Sequence, residues 1–143
     1  MIQPNELRMG SLIEKDNVMY KFLSLEQNHA FTSEYRWYSV ETLDGKLGKY
    51  YSSHFNPIPL TPEILEKCGF EKVENPKQYG WYISVGNREL CWCHADYISL
   101  EFKVGQLDDF CDTIKDIDCK HLHQLQNLYF ALTGEELIYK NEN

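Results

Sequence analysis

Residues 121–137, HLHQLQNLYFALTGEEL, decide how the rest of the chain is organised. Leu122, Leu125, Leu128, Tyr129 and Leu132 recur at three- and four-residue spacing, which gathers them on one side of a 3.6-residue helix. Gln124, Gln126 and Asn127 fall outside that stripe. Gly134 stands where the chain must take a positive φ to leave a helix, so it is the expected C′ residue. A helix this short is marginal alone in water, so the stripe predicts a sheet or other surface beneath it. At ~1.5–3 kcal/mol each, burying five such side chains is worth on the order of 10 kcal/mol gross. That matches the whole net stability of a typical domain.

Upstream of this helix the hydrophobic period drops to two. Residues 79–85, 89–94 and 97–104 read as three strands joined by Gly86-Asn87 and Ala95-Asp96. In the third, Ile98, Leu100, Phe102 and Val104 face one way, and Ser99, Glu101 and Lys103 face the other. This is an antiparallel meander with one wet face and one dry face for the helix to cover. Residues 106–118 carry Asp108, Asp109, Asp112, Asp116 and Asp118, with a further short strand expected around 113–117. The helix is placed at 119–133, and Lys140 onward reads as a frayed polar end.

Pro57-Ile58-Pro59-Leu60 marks a boundary, because two prolines two apart hold an extended connection. Thr61-Pro62 then opens a helix over 62–68, with a hydroxyl to cap it and proline at its first position. Ile64, Leu65 and Cys68 form its apolar side and Gly69 ends it. Before the boundary, residues 11–14, 18–25, 36–43 (with Phe31 ahead of it) and 46–52 have strand character. Lys15-Asp16-Asn17 and Asp44-Gly45 supply the turns. Short strands without helical periodicity predict a small, curved antiparallel sheet of the SH3-like barrel kind. The expected fold is therefore α+β. A β-rich SH3-like subdomain spans 1–58. A second subdomain over 59–143 holds the short helix, the meander at 79–104 and the covering helix.

Composition narrows the function classes. Ten Tyr, seven Phe and three Trp supply ample core material, and the formal charge of −8 disfavours non-specific binding to nucleic acid or an anionic membrane. The first 58 residues carry six basic and seven acidic side chains, and the other 85 carry eight and fifteen. Any anion-binding surface is therefore expected in the first part. The start, MIQPNELRMG, lacks the basic and apolar run of a secretory leader, and no stretch approaches the ~20 apolar residues of a membrane span. Five cysteines without a leader fit free thiols in a reducing cytoplasm.

Several constellations could carry chemistry. Cys91 and Cys93, with His121 and His123, offer zinc's preferred ligand types. Their spacing does not make a knuckle, and small apolar cysteines pointing into a core are the simpler reading. No metal or cofactor is therefore assigned. His123 could act as a general base oriented by Asp96 or Asp118, but no nucleophile motif accompanies it. Gly45-Lys46-Leu47-Gly48 has the letters of a KH-type loop but joins strands, so it reads as a hairpin turn. The aspartates of 108–118 lack the ligand order of a calcium loop and read as a solvated acidic segment.

The remaining feature is an aromatic and basic mixture: Tyr35-Arg36-Trp37-Tyr38, Lys49-Tyr50-Tyr51, then His54 and Phe55. Single-stranded nucleic-acid binders use rings to stack bases and cations to hold phosphates. A small barrel needs aromatics for its core as well, and an exposed Tyr/Trp surface suits a protein partner equally. Arg36, Trp37, Tyr38, Lys49 and Tyr50 are the candidate binding residues.

Three stretches in order complete the reading: Asn5-Glu6-Leu7-Arg8-Met9-Gly10, then Pro59-Leu60-Thr61-Pro62-Glu63-Ile64-Leu65 with Gly69-Phe70, and the segment from His123 to Leu137. Together they resemble a pattern found in uncharacterised small proteins of Bacteroidetes bacteria and their phages and prophages. The resemblance implies a bacterial or phage cytoplasmic origin and transfers no activity and no catalytic residue. The cysteines and the YRWY cluster lie outside the matching stretches. The expected function is a non-enzymatic binding or accessory protein acting through protein contacts. A single-stranded nucleic-acid module is the alternative, and a zinc or enzyme site at Cys91, Cys93, His121 and His123 is the third.

Overall fold

Tight turns fix the register of the first sheet. A computed structural model describes residues 2, 4–27, 36–72, 80–92, 97–102 and 113–141. Strands β1 (Leu12–Lys15) and β2 (Val18–Gln27) are joined by Asp16-Asn17 alone, at φ 50° and 64°. Two successive positive φ values define the type I′ turn, whose twist matches that of the flanking strands. Strands β3 (Arg36–Thr42) and β4 (Leu47–Tyr51) follow, with Gly45 at φ 95° in the connection. There the Thr42 hydroxyl accepts from the Lys46 N–H at 2.8 Å.

The four strands form one antiparallel sheet in the order β1-β2-β3-β4, with a bulge in β2 between Phe22 and Ser24. This is an open meander and not the closed barrel the strand count suggested. After β4 a single 3-10 turn (Ser52–His54) brings the chain back beside β1. Glu14 and Asn56 then exchange backbone bonds of 3.0 and 2.8 Å. The core of this unit holds Ile2, Ile13, Phe22, Tyr38, Val40 and Phe55, with Leu7, Tyr20 and Tyr50 packed against it.

The second sheet is also antiparallel and runs β5 (Glu71–Lys72), β6 (Trp81–Val85), β7 (Arg88–Trp92), β8 (Tyr97–Phe102), β9 (Thr113–Asp118). Gly86, at φ 69°, opens the two-residue turn between β6 and β7. The buried positions Val85, Leu90, Trp92, Ile98 and Leu100 lie on one face of this sheet. On the opposite face Ser99 is also buried and its hydroxyl lies 3.4 Å from the Cys91 carbonyl, so this face is not uniformly wet. Phe31, Asp96, Lys103, Val104 and the start of the acidic segment lie outside the described residues.

Helix α1 (Pro62–Lys67) carries its boundaries in its own sequence. The Thr61 hydroxyl accepts from the Ile64 N–H at 3.2 Å, and Pro62 occupies the first turn. At the other end Gly69 N–H donates to the Glu66 carbonyl and Phe70 N–H to the Leu65 carbonyl, at 3.1 and 2.9 Å. These two bonds are the Schellman motif, with buried Leu65 and Phe70 as its apolar pair. At the start of the polar end Lys140 is tied rather than frayed: its N–H donates to the Lys67 carbonyl at 2.8 Å, and Lys67 Nζ lies 5.7 Å from the Tyr139 ring centre.

Helix α2 (Leu122–Thr133) ends at Gly134, φ 73°, whose N–H donates to the Phe130 carbonyl at 2.8 Å. In its first turn Gln124 Oε1 reaches back to accept from Lys120 N–H. Its buried arc differs from the leucine stripe. Leu122 and Leu125 are fully buried, as expected, but His123 and Gln126 are buried as well. Leu128 and Tyr129 are half-buried and Leu132 is 40% exposed. At ~100° per residue, the buried side is centred nearer His123 and Gln126 than the leucine count implied.

The chain divides into two compact units, Met1–Pro59 with His121–His123, and Leu60–Lys120 with Gln124–Asn143. Among the described residues no helix is long and apolar enough to cross a membrane. The cap at Thr61 is a direct test of how α1 is held. Thr61→Ala should cost about 1 kcal/mol of stability by denaturant midpoint, and Thr61→Ser should restore most of it. An alanine variant as stable as the parent would show that the cap bond is dispensable.

Candidate functional site

Strand alternation divides the five candidate binding residues between the two faces of the first sheet. Tyr38 is 1% exposed. It stacks on Phe55 at 5.7 Å between ring centres and meets Phe22 edge-on at 5.1 Å. Tyr50 pairs with Tyr38 across the ladder and packs edge-on against Tyr20 and Phe55. Lys15 Nζ lies 4.5 Å from the centre of the Tyr50 ring and 2.9 Å from Asp16 Oδ2. These two tyrosines therefore serve the core, and Tyr38 has no ring face to offer a ligand.

Trp37 and Lys49 point the other way. Trp37 faces Tyr51 across the β3–β4 ladder, and their rings stack at 4.0 Å with 29° between planes. His54, from the 3-10 turn, meets Tyr51 edge-on at 5.8 Å. Lys49 Nζ forms an ion pair with Glu26 Oε2 at 2.8 Å, so its charge is answered within the sheet. Leu47, two residues from Lys49 on the same face of β4, is 77% exposed. Arg36 is half-buried, opposite Gln27 at the end of the ladder. The outward site is thus Trp37, Tyr51, His54, Lys49 and Leu47. Tyr51 follows from the sequence once the Asp44-Gly45 turn is taken to fix the hairpin register.

Three of the four thiol and imidazole candidates lie among the described residues, Cys91 on β7 and His121 and His123 at the start of α2. Cys91 sits on β7 opposite Tyr82 and Ser99, and Cys93 lies outside the described residues. The His121 and His123 rings lie nearly parallel, 5.9 Å apart with 13° between planes. Among the described residues no group of three or more His, Cys, Asp or Glu is placed to hold a metal ion. Cys68 and Cys119 are buried thiols. Burial pushes both up to about 12, with nearby Asp118 adding to the effect at Cys119. A thiol held protonated in this way is a poor nucleophile and a poor metal ligand.

His123 is the most unusual polar residue of the first unit. It is 1% exposed, its Nε2 lies 3.4 Å from Glu6 Oε2, and its Nδ1 has no hydrogen-bond partner among the described residues. The carboxylate beside it is therefore Glu6, from the N-terminal 3-10 turn, 117 residues away in sequence. Burial holds the imidazole below the usual histidine range; Glu6 opposes that shift and His121 reinforces it. A buried polar atom without a partner costs ~1–3 kcal/mol. Sequence spacing carries no signal for this pair, because its members come from opposite ends of the chain.

Comparison with protein-family models, with characterised proteins and with solved structures finds no match to this chain. The thiols give a direct check on the site. At pH 8 Cys68 and Cys119 should resist alkylation in the native protein and react only as it unfolds in denaturant. Prompt labelling of either at native conditions would contradict their burial.

Proposed function

We propose that this chain is a non-enzymatic binding or accessory protein of phage or prophage origin in Bacteroidetes bacteria. In this reading it works in the cytoplasm through contacts with a protein partner. Its first unit is taken as an SH3-like subdomain, and α2 as the cover of the second sheet. The return of the chain beside β1 after the 3-10 turn supports the first of these assignments.

One observation carries the functional reading: the stacked Trp37–Tyr51 pair stands on the face of the sheet opposite the core. Its rings are spent on neither the Phe55 cluster nor the packing of Tyr38. Leu47 adds exposed apolar area on that face, and Glu26 neutralises Lys49. Aromatic anchors with few uncompensated charges are what protein-binding surfaces are built from. The same rings could stack bases, which is the nucleic-acid alternative. That alternative needs free cations along a backbone path, and here Lys49 is paired while the chain carries a net charge of −8.

The two readings separate experimentally. Any partner retained from host lysate by the immobilised protein should be lost with a Trp37→Ala/Tyr51→Ala variant that keeps its circular dichroism spectrum. Truncating a central aromatic anchor costs ~2 kcal/mol or more, about thirtyfold in affinity. Undiminished retention by the variant would remove this face from the function. Salt-sensitive binding of a single-stranded oligonucleotide that depends on Trp37 and Tyr51 would favour the alternative.

A further inference from the structure

We propose that His123 and Glu6 form a pH-responsive clasp, which keeps the N-terminal turn of the first unit closed at neutral pH and releases it in mildly acidic solution. The geometry supplies the parts. The turn Pro4–Glu6 lies between Ile2, buried in the core of the first unit, and Leu7, packed against that core. Glu6 Oε2 reaches His123 Nε2 at 3.4 Å. With the imidazole neutral, Nε2–H donates to the Glu6 carboxylate and Nδ1 is a bare lone pair enclosed in protein.

A proton added at Nδ1 creates an N–H donor with no acceptor among the described residues and no access to water. Among the described residues, Glu6 and His121 are the titratable groups that act on the ring. Glu6, from the N-terminal turn, attracts the added charge, but its side chain is 38% exposed and water screens it. His121, stacked at 5.9 Å, repels it whenever it is itself protonated. Burial outweighs the Glu6 attraction, so the closed form resists the proton. Lifting the turn lets water reach the ring, which then titrates as an ordinary histidine near about 6.5. The open form therefore binds more protons than the closed one just below that value. Stability of the closed form is full above it and falls as pH drops through it toward the lower closed-state value. In that window each pH unit multiplies the open fraction by up to about tenfold. Opening also withdraws Ile2 and Leu7 from the core, so acid changes which apolar surface the first unit presents.

Amide hydrogen exchange of the full chain, corrected for intrinsic rates, tests the clasp. The reporters are Arg8, Ser11 and Leu122, whose N–H groups donate to Ser11 Oγ, the Arg8 carbonyl and the Ile58 carbonyl. Thr42, bonded to the Lys46 carbonyl in the β3–β4 hairpin, is the control within the same unit. Between pH 7.5 and 5.5 protection should fall by about tenfold at the reporters and stay level at Thr42, and His123→Gln should abolish the difference. Should that variant fail to fold, the imidazole of the parent chain is titrated by nuclear magnetic resonance. A His123 midpoint below about 6.5 supports the clasp. A midpoint at or above that value, or protection lost equally at Thr42, overturns it.

Discussion

A β-strand cannot turn two successive side chains to the same face, and in β3 this constraint separates building material from surface. Tyr38 and Val40 enter the core while Trp37 stays outside, because the ladder pairs Trp37 with Tyr51 and Tyr38 with Tyr50. A slip of one residue would exchange them, placing an indole against Phe55 and leaving Tyr38 in water. The buried rings are held edge-to-face and offset around Phe55, the geometries aromatic quadrupoles favour. Phe55 reaches them because the 3-10 turn after β4 sends the chain back to pair Asn56 with Glu14. Register, core and outward aromatic pair are thus a single choice.

The second unit is governed more by its ends than by its middle. Helix α1 is only six residues long and could not persist alone in water. A hydroxyl cap, an N-terminal proline and a glycine-based stop satisfy its terminal backbone groups, and the chain at Lys140 adds a donor to the Lys67 carbonyl. The five-stranded sheet varies in the same way at its margins: β8 and β9 fall out of step between Leu100 and Glu101, where an extra residue bends the ladder.

Features that depend on neighbours in sequence were legible from the sequence. The Asp16-Asn17 and Gly86-Asn87 turns, the Thr61-Pro62 start, the Gly69 and Gly134 stops and the short strand near Thr113 all rest on local chemistry. Side-chain destinations were less legible. In Tyr35-Arg36-Trp37-Tyr38 aromatic residues occupy both parities, so period-two alternation alone cannot say which ring is inside. In α2 the leucines suggest one buried arc, while the structure buries His123 and Gln126 and leaves Leu132 outside. Contacts made from far along the chain set that rotation, and the partner of His123 is one of them.

The membership of residues 121–123 has a topological consequence. Because they belong with Met1–Pro59, the first unit is discontinuous, and residues 60–120 are an insertion within it. A fragment cut at the Pro57–Pro59 connection would keep every strand of the first sheet. It would still strand Glu6 without its imidazole and the Ile58 carbonyl without the Leu122 N–H. On a ribosome the same unit must wait, nearly formed, until the whole insertion has been synthesised. Dissecting this protein into autonomous pieces therefore calls for a permuted or loop-bridged chain rather than a simple cut.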